Sequence, residues 1–282
     1  MFAVQIELRV SFRPNHAISL APGKQLSRFA KMVRKYIVQV EQECSRISIL
    51  ILLIVIAGSA CILNGQEPNR MKNRIKIAHI TTDFGASDLY NKNWDRAESV
   101  DITRYWSDEG APDSRQFKAS LLWSDTALYV RFEANQGEPL VVSEKPKVDA
   151  KTMKLWDRDV CEIFVAPDKK EPRKYFEFEV APTGEWIDVT IDLTSGERVT
   201  GWDYRSGMQS AAKIEKDKVV MAIKVDWKAV QKKPKTGDVW LGNLFRCVGK
   251  DPTRGYLAWQ PTMTKEPAFH VPEKFGQFEF VN

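Results

Sequence analysis

Histidine and cysteine are scarce in this 282-residue sequence, with three of the first and four of the second, and no CxxC pair or Cys/His cluster has the spacing of a zinc site. Once the N-terminal region is set aside as an export segment, only His79 and His270 remain, and no nucleophile, base and orienting group can be assembled around them. A D-x-D-x-D-G calcium loop is missing, as are internal repeats and low-complexity tracts. A basic stripe is missing too. The net charge of +5 is modest, and opposite charges are interspersed in runs such as Lys169–Lys174 and Glu215–Lys218, which argues against a nucleic-acid partner. Helical periodicity is nearly absent; one turn at Asp226–Val230, capped by Asp226 and stopped before Pro234, is the single candidate.

Charge itself is absent between Arg46 and Glu67, and Ile49–Ala57 is continuously apolar, as in a signal-peptide core or a membrane anchor. The run is shorter than the roughly 20 apolar residues that cross a bilayer. Small residues (Ala57, Gly58, Ser59, Ala60) follow it, so cleavage near Ala60 is expected. The sequence Gly58-Ser59-Ala60-Cys61 resembles a lipobox, which keeps acylation of Cys61 open beside plain secretion and an uncleaved anchor. Met32, followed by Arg34 and Lys35, opens a leader of normal form. Residues 1–31 therefore read as a spurious or disordered extension, 32–66 as a signal peptide or membrane anchor, and 67–282 as one folded domain. The expected address is outside the cytoplasm: secreted, periplasmic or membrane-anchored, with any membrane contact made through the N-terminal segment.

What the domain has in abundance is short runs of period two. Phe117–Trp123 and Leu128–Phe132 flank the turn Ser124-Asp125-Thr126 as a hairpin; Tyr175–Ala181 and Trp186–Asp192 flank Pro182-Thr183-Gly184 as another. Further runs lie at Val219–Val225, Val239–Val248, Tyr256–Trp259 and Gln277–Val281. One apolar face on each of many antiparallel strands implies two sheets packed face to face: an all-β, antiparallel, jelly-roll-like sandwich preceded by the export signal or anchor. Cys161 and Cys247 lie inside it, either paired or buried and free.

Nine tryptophans lie between residues 94 and 259. Trp123, Trp240 and Trp259 sit on apolar runs and read as core. Trp156 follows the polar loop Gly137–Lys154 and precedes Asp157-Arg158-Asp159, which suits a flat platform at a strand mouth, where a ring can stack on the C–H face of a sugar. Glu162, in the apolar run Val160–Val165 on the side of Val160 and Phe164, is the matching hydrogen-bonding group; the alternative is a structural salt bridge to Arg246.

These residues carry a resemblance. Trp156-Asp157-Arg158-Asp159-Val160-Cys161-Glu162-Ile163-Phe164-Val165 is similar to the W-x-x-D-x-V-E-I-F strand of the family 9 carbohydrate-binding modules, and Phe269-His270-Val271-Pro272-Glu273-Lys274-Phe275-Gly276 resembles the aromatic residue and P-x-x-F-G that precede that family's last strand. The resemblance implies a non-catalytic module, not an enzyme, gripping an oligo- or polysaccharide between Trp156 and Phe269. The latter stands where the family has a second clamp tryptophan, with His270 beside it. Glu162 would bind sugar hydroxyls. Arg246 stands where the family has a polar ligand, and Glu179 where it has a basic one. A separate glycoside hydrolase as partner and a role in polysaccharide catabolism are further implications. Structural calcium is another, with Asp83, Asp88 and Asp101 as candidate ligands. Two other readings stay open. Glu162 with Glu177 or Glu179 could form the paired carboxylates of a glycoside-cleaving enzyme, which sit about 5 Å apart when configuration is retained; Glu177 and Glu179 read equally as a solvated face. The wider DOMON-like superfamily suggests haem, with Met263 and His270 as axial ligands.

Overall fold

The computed structural model describes residues 73–282 and, apart from these, four helical positions, Lys31, Arg34, Lys35 and Gln39. The readings of residues 1–66 as extension, signal or anchor lie outside the described residues but for those four positions. Among the described residues no helix is long and apolar enough to cross a membrane. Residues 73–282 form thirteen strands: β1 (Arg74–His79), β2 (Ser99–Ile102), β3 (Phe117–Trp123), β4 (Ala127–Asn135), β5 (Val160–Ala166), β6 (Lys174–Val180), β7 (Trp186–Asp192), β8 (Val199–Gly201), β9 (Gln209–Ile214), β10 (Lys218–Asp226), β11 (Val239–Val248), β12 (Gly255–Ala258) and β13 (Gly276–Val281). The expected helical turn at Asp226–Val230 is instead a pair of tight turns after β10. Trp227 leaves the chain path there to donate its indole N–H to the Ser124 carbonyl at 2.8 Å and to pack edge-on against Trp240 and Phe280.

The strand order is β8-β7-β6-β5-β11-β13-β1-β3-β4-β10-β9, with β12 paired to β11 and β2 to β3. The pairings are antiparallel except at β1, which runs parallel to both β13 and β3. This parallel seam joins two layers whose inner faces share the main core. Cys161, Ile163, Val165, Phe178 and Val180 from β5 and β6 meet Val130, Phe132, Met221 and Ile223 from β4 and β10. The architecture is thus the expected β-sandwich, formed by one continuous sheet folded over on itself. The β3–β4 hairpin turns where Ser124 Oγ accepts the backbone N–H groups of Thr126 and Ala127, both at 3.1 Å. Gly242 lets β11 cross tightly; a Cβ there would collide with the Phe164 carbonyl and the Phe278 ring.

Alternation along β5 and β11 settles the two cysteines and Arg246. Cys161 points into the main core and Cys247 out of the other face, and both are free and buried. Arg246 is paired in register with Cys161, so it shares the inner face and cannot reach Glu162, which is paired with Phe245. Its buried guanidinium donates to the carbonyls of Arg115 and Asn135 and to Gln136 Oε1, each at 2.7 Å. Arg246 therefore neither bridges to Glu162 nor points toward the opposite face, where the candidate site lies; it ties β11 to the ends of β3 and β4. Replacing it with methionine keeps the volume but leaves three part-buried acceptors without their donor, so urea unfolding of Arg246→Met is expected to show a loss of about 1–3 kcal/mol.

Candidate functional site

The outer face of the β7-β6-β5-β11 layer is covered by loops rather than by a second sheet. It carries its own cluster of Leu155, Val160, Phe164, Tyr175, Val189, Ile191, Phe245 and Phe269. Between the covering loops opens a cleft of about 520 Å³, with Trp156, Trp202, Arg254, Tyr256 and Phe269 in its walls and Glu162, Glu177 and His270 contributed from below.

Polar ties hold the walls. Trp156 sits in a short 3-10 turn, Leu155–Asp157, entered through left-handed Lys154 (φ 57°) and anchored by fully buried Leu155. Arg254 donates to the carbonyls of Trp156 at 2.7 Å, Arg158 at 2.6 Å and Gly249 at 2.6 Å. Asp159 accepts the N–H of Gly249 at 2.7 Å and of Val141 at 3.2 Å. The Trp202 ring lies 6.0 Å from that of Trp156, tilted by 35°. The ammonium of Lys151, paired with buried Asp188 at 2.8 Å, donates to the carbonyls of Trp202 and Tyr204 and so fixes the Trp202 loop.

Phe269 lines the cleft, 9% exposed. It stacks one face on Phe245, with centroids 4.1 Å apart and planes 12° apart. His270 stacks on Phe164, and its Nδ1 lies 2.7 Å from the Tyr175 hydroxyl. Burial, with the positive charge of Arg198, pulls its pKa down to about 3, so the ring is neutral at physiological pH. The P-x-x-F-G segment is structural. Pro272–Lys274 forms a 3-10 turn with proline in its first turn, Phe275 packs edge-on to Tyr175, and a Cβ on Gly276 would strike the Trp259 ring.

The floor is acidic. Glu162 pairs in register with Glu179, Glu177 follows on the same face, and the three are 2%, 0% and 5% exposed. They are not a solvated face. They alternate with core residues because both faces of β6 are covered, one by the opposite layer and one by loops. Burial drives all three carboxyl groups upward in pKa, and mutual repulsion adds to this for Glu162 and Glu179. The protein offers Glu162 a thiol donor, Cys247, at 3.6 Å.

The structure thus gathers Trp156, Glu162, Phe269 and His270 at one cleft, with Glu179 beneath it beside Glu162, and directs Arg246 to the far side of the sheet. Met263 is 58% exposed and does not line the cleft, so it and His270 do not face a common haem pocket. Asp83 accepts from Tyr129 and Thr126, Asp88 from Asn91, and Asp101 faces Lys118 at 4.0 Å; the three do not converge. Trp202, Arg198 and Arg254 are wall residues that the pattern of the sequence did not bring forward. Trp202-Asp203 repeats the Trp156-Asp157 pair in a polar turn, and that was the available signal.

Comparison with known proteins adds to this geometry. The profile described as "Carbohydrate family 9 binding domain-like" matches residues 88–282. Among solved structures, a candidate carbohydrate-binding protein from Bacteroides uniformis is 15% identical, with a TM-score of 0.59 over 73% of this chain and 98% of that one. A family 9 carbohydrate-binding module from Caldicellulosiruptor kristjanssonii, in complex with cellotriose, is 16% identical with a TM-score of 0.53 over 74% and 93% of the two chains. A family 9 module from the same organism in complex with glucose gives 17% identity and a TM-score of 0.53 over 73% and 95%. None of the curated proteins matches. At these identities the structures establish likeness of fold.

The buried carboxyl groups generate a pH signature. A folded-state pKa raised above the ordinary 4.5 means that Glu179 contributes its full stability below about pH 4.5 and loses it as the pH rises through the raised value. Glu179→Gln removes that loss. In chelator-treated buffer its melting temperature is expected to match the wild type near pH 4.5 and to exceed it by several degrees at pH 8; the opposite trend would mean that the carboxylate is stabilised by a partner.

Proposed function

Because the chain belongs to the carbohydrate family 9 binding domain-like family, we propose that it is a non-catalytic saccharide-binding protein that works outside the cytoplasm. The observation that carries this reading is the cleft itself, which places the Trp156–Trp202 aromatic wall above polar groups fixed by neighbouring strands and loops. A pyranose presents apolar C–H faces and an equatorial belt of hydroxyls, and such a wall with in-plane polar groups complements both. In this proposal Trp156 and Trp202 supply the stacking surface. Glu162, held protonated or shared with its neighbours, bonds hydroxyls together with neutral His270. Phe269 supplies a further wall, its ring backed by Phe245.

The acidic floor does not favour glycoside cleavage. A retaining or inverting enzyme needs one acid protonated and one ionised within reach of the bond. Of the three floor acids only Glu162 and Glu177 line the cleft, and burial pushes both toward the protonated form; the other lining carboxyl groups, Asp157 and Asp251, stand on the wall loops. The ligand class we propose is an oligosaccharide or the end of a polysaccharide. Cello-oligosaccharides are the first probes, since the Caldicellulosiruptor modules hold cellotriose and glucose. A role in polysaccharide capture beside a separate glycoside hydrolase follows from the same reading.

Calorimetry against soluble cello-oligosaccharides and pull-down with insoluble polysaccharides test it. Trp156→Ala is expected to weaken binding about tenfold or more, a loss of roughly 1.4 kcal/mol, with an unchanged melting temperature. Phe269→Ala is expected to do the reverse, lowering the melting temperature by removing a buried ring while changing affinity less. Absence of binding by the wild type across the panel would defeat the proposal.

A further inference from the structure

We propose that Glu162, Glu177 and Glu179 form a binding site for a hard divalent cation of about calcium size, set in the floor of the cleft. Two separate observations point there. The first is convergence: one carboxylate oxygen from each residue lies within 4.8 Å of the others. That spread is no wider than the span across a single ion with metal–oxygen distances of about 2.4 Å.

The second is a missing partner. Glu179 is fully buried, and no donor group of the protein reaches either of its oxygens; its polar neighbour is the carboxyl group of Glu177, itself an acid, whose Oε2 has only the neutral His270 ring, 4.0 Å away. Buried acids elsewhere on these strands and their flanking loops are served. Asp159 takes two backbone N–H groups, Glu185 takes Arg158 at 3.2 Å and Thr183 at 2.9 Å, and Asp188 takes Lys151 at 2.8 Å. A carboxylate removed from water with no donor is costly, and a bound cation is one of the few groups that offsets that cost.

Donor type and position define the ligand. Three carboxylate oxygens suit a hard cation such as calcium or manganese over a thiophilic one. Glu162 and Glu177 line the cleft and Glu179, which does not, completes the set from within the sheet, so an ion that enters through the cleft can touch all three. Arg254 acts electrostatically on Glu162 and Arg198 on Glu177, and they balance the charge that three carboxylates leave beyond a divalent ion. The site is defined without reference to any saccharide, so it stands or falls separately from the binding reading above.

Terbium luminescence on the purified full chain tests the site, with the ion excited through the aromatic residues that line the cleft. The expected result is saturable emission displaced by calcium. Glu179→Gln and Glu162→Gln should each weaken terbium binding at least about tenfold, while Asp88→Asn, an exposed control, leaves it unchanged. Circular dichroism identifies the folded variants, and either glutamine variant alone suffices. Calcium should also raise the melting temperature of the wild type and not that of the glutamine variants. No calcium-displaceable emission at millimolar terbium, or emission that persists undiminished in both glutamine variants, would overturn the proposal and leave three carboxyl groups that share protons.

Discussion

Strands β5, β6 and β11 are covered on both faces, and most of what is distinctive in this domain depends on that constraint. All seven residues of β5 are buried. One face meets the opposite layer of the sandwich; the other meets loops contributed by residues near 156, 202, 254 and 269. Loops can cover a sheet only if their own backbone polar groups are satisfied, and here side chains do this. The Arg254 guanidinium gathers carbonyls from two of the loops, the Asp159 carboxylate gathers N–H groups from two, and the Lys151 ammonium holds a third. The cleft is the space that those ties leave.

The same double burial sets the electrostatics. A carboxylate on a strand with one wet face would be unremarkable, whereas Glu162, Glu177 and Glu179 are enclosed together, with a single thiol as donor. Replacement of any one of them by glutamine or an apolar residue would relieve part of that desolvation cost. The aromatic wall and the acidic floor then divide the labour. Trp156 and Trp202 offer surface, and the floor offers polar groups whose protonation or cation occupancy governs what they can bind.

Much of the layer arrangement was legible in the chain. Period-two runs at Phe117–Trp123, Trp186–Asp192 and Val239–Val248 coincide with β3, β7 and β11, because each carries a regular apolar face. Less was legible where neighbours rather than local pattern decide. β9, with an exposed or half-exposed face, and the short β2 lack contrast, and the parallel seam at β1 joins the two ends of the domain, a pairing that no local periodicity encodes. Within the site, Trp156 and Glu162 were readable from a polar loop running into an apolar strand. Trp202 was not, because its place beside Trp156 comes from a loop more than forty residues away.

The sequence by itself determined which residues face the same way along each strand, since alternation is a property of the extended backbone, and it determined that the fold is a sandwich of such strands. Tertiary structure alone decided what each face meets. It turned Arg246 toward three acceptors in the inner layer, placed Phe245 behind the Phe269 ring, and roofed Glu177 and Glu179, which local pattern allowed to be solvated. The reason is physical: a strand's period assigns sides, but the dielectric and the partners on each side are supplied by segments distant in sequence.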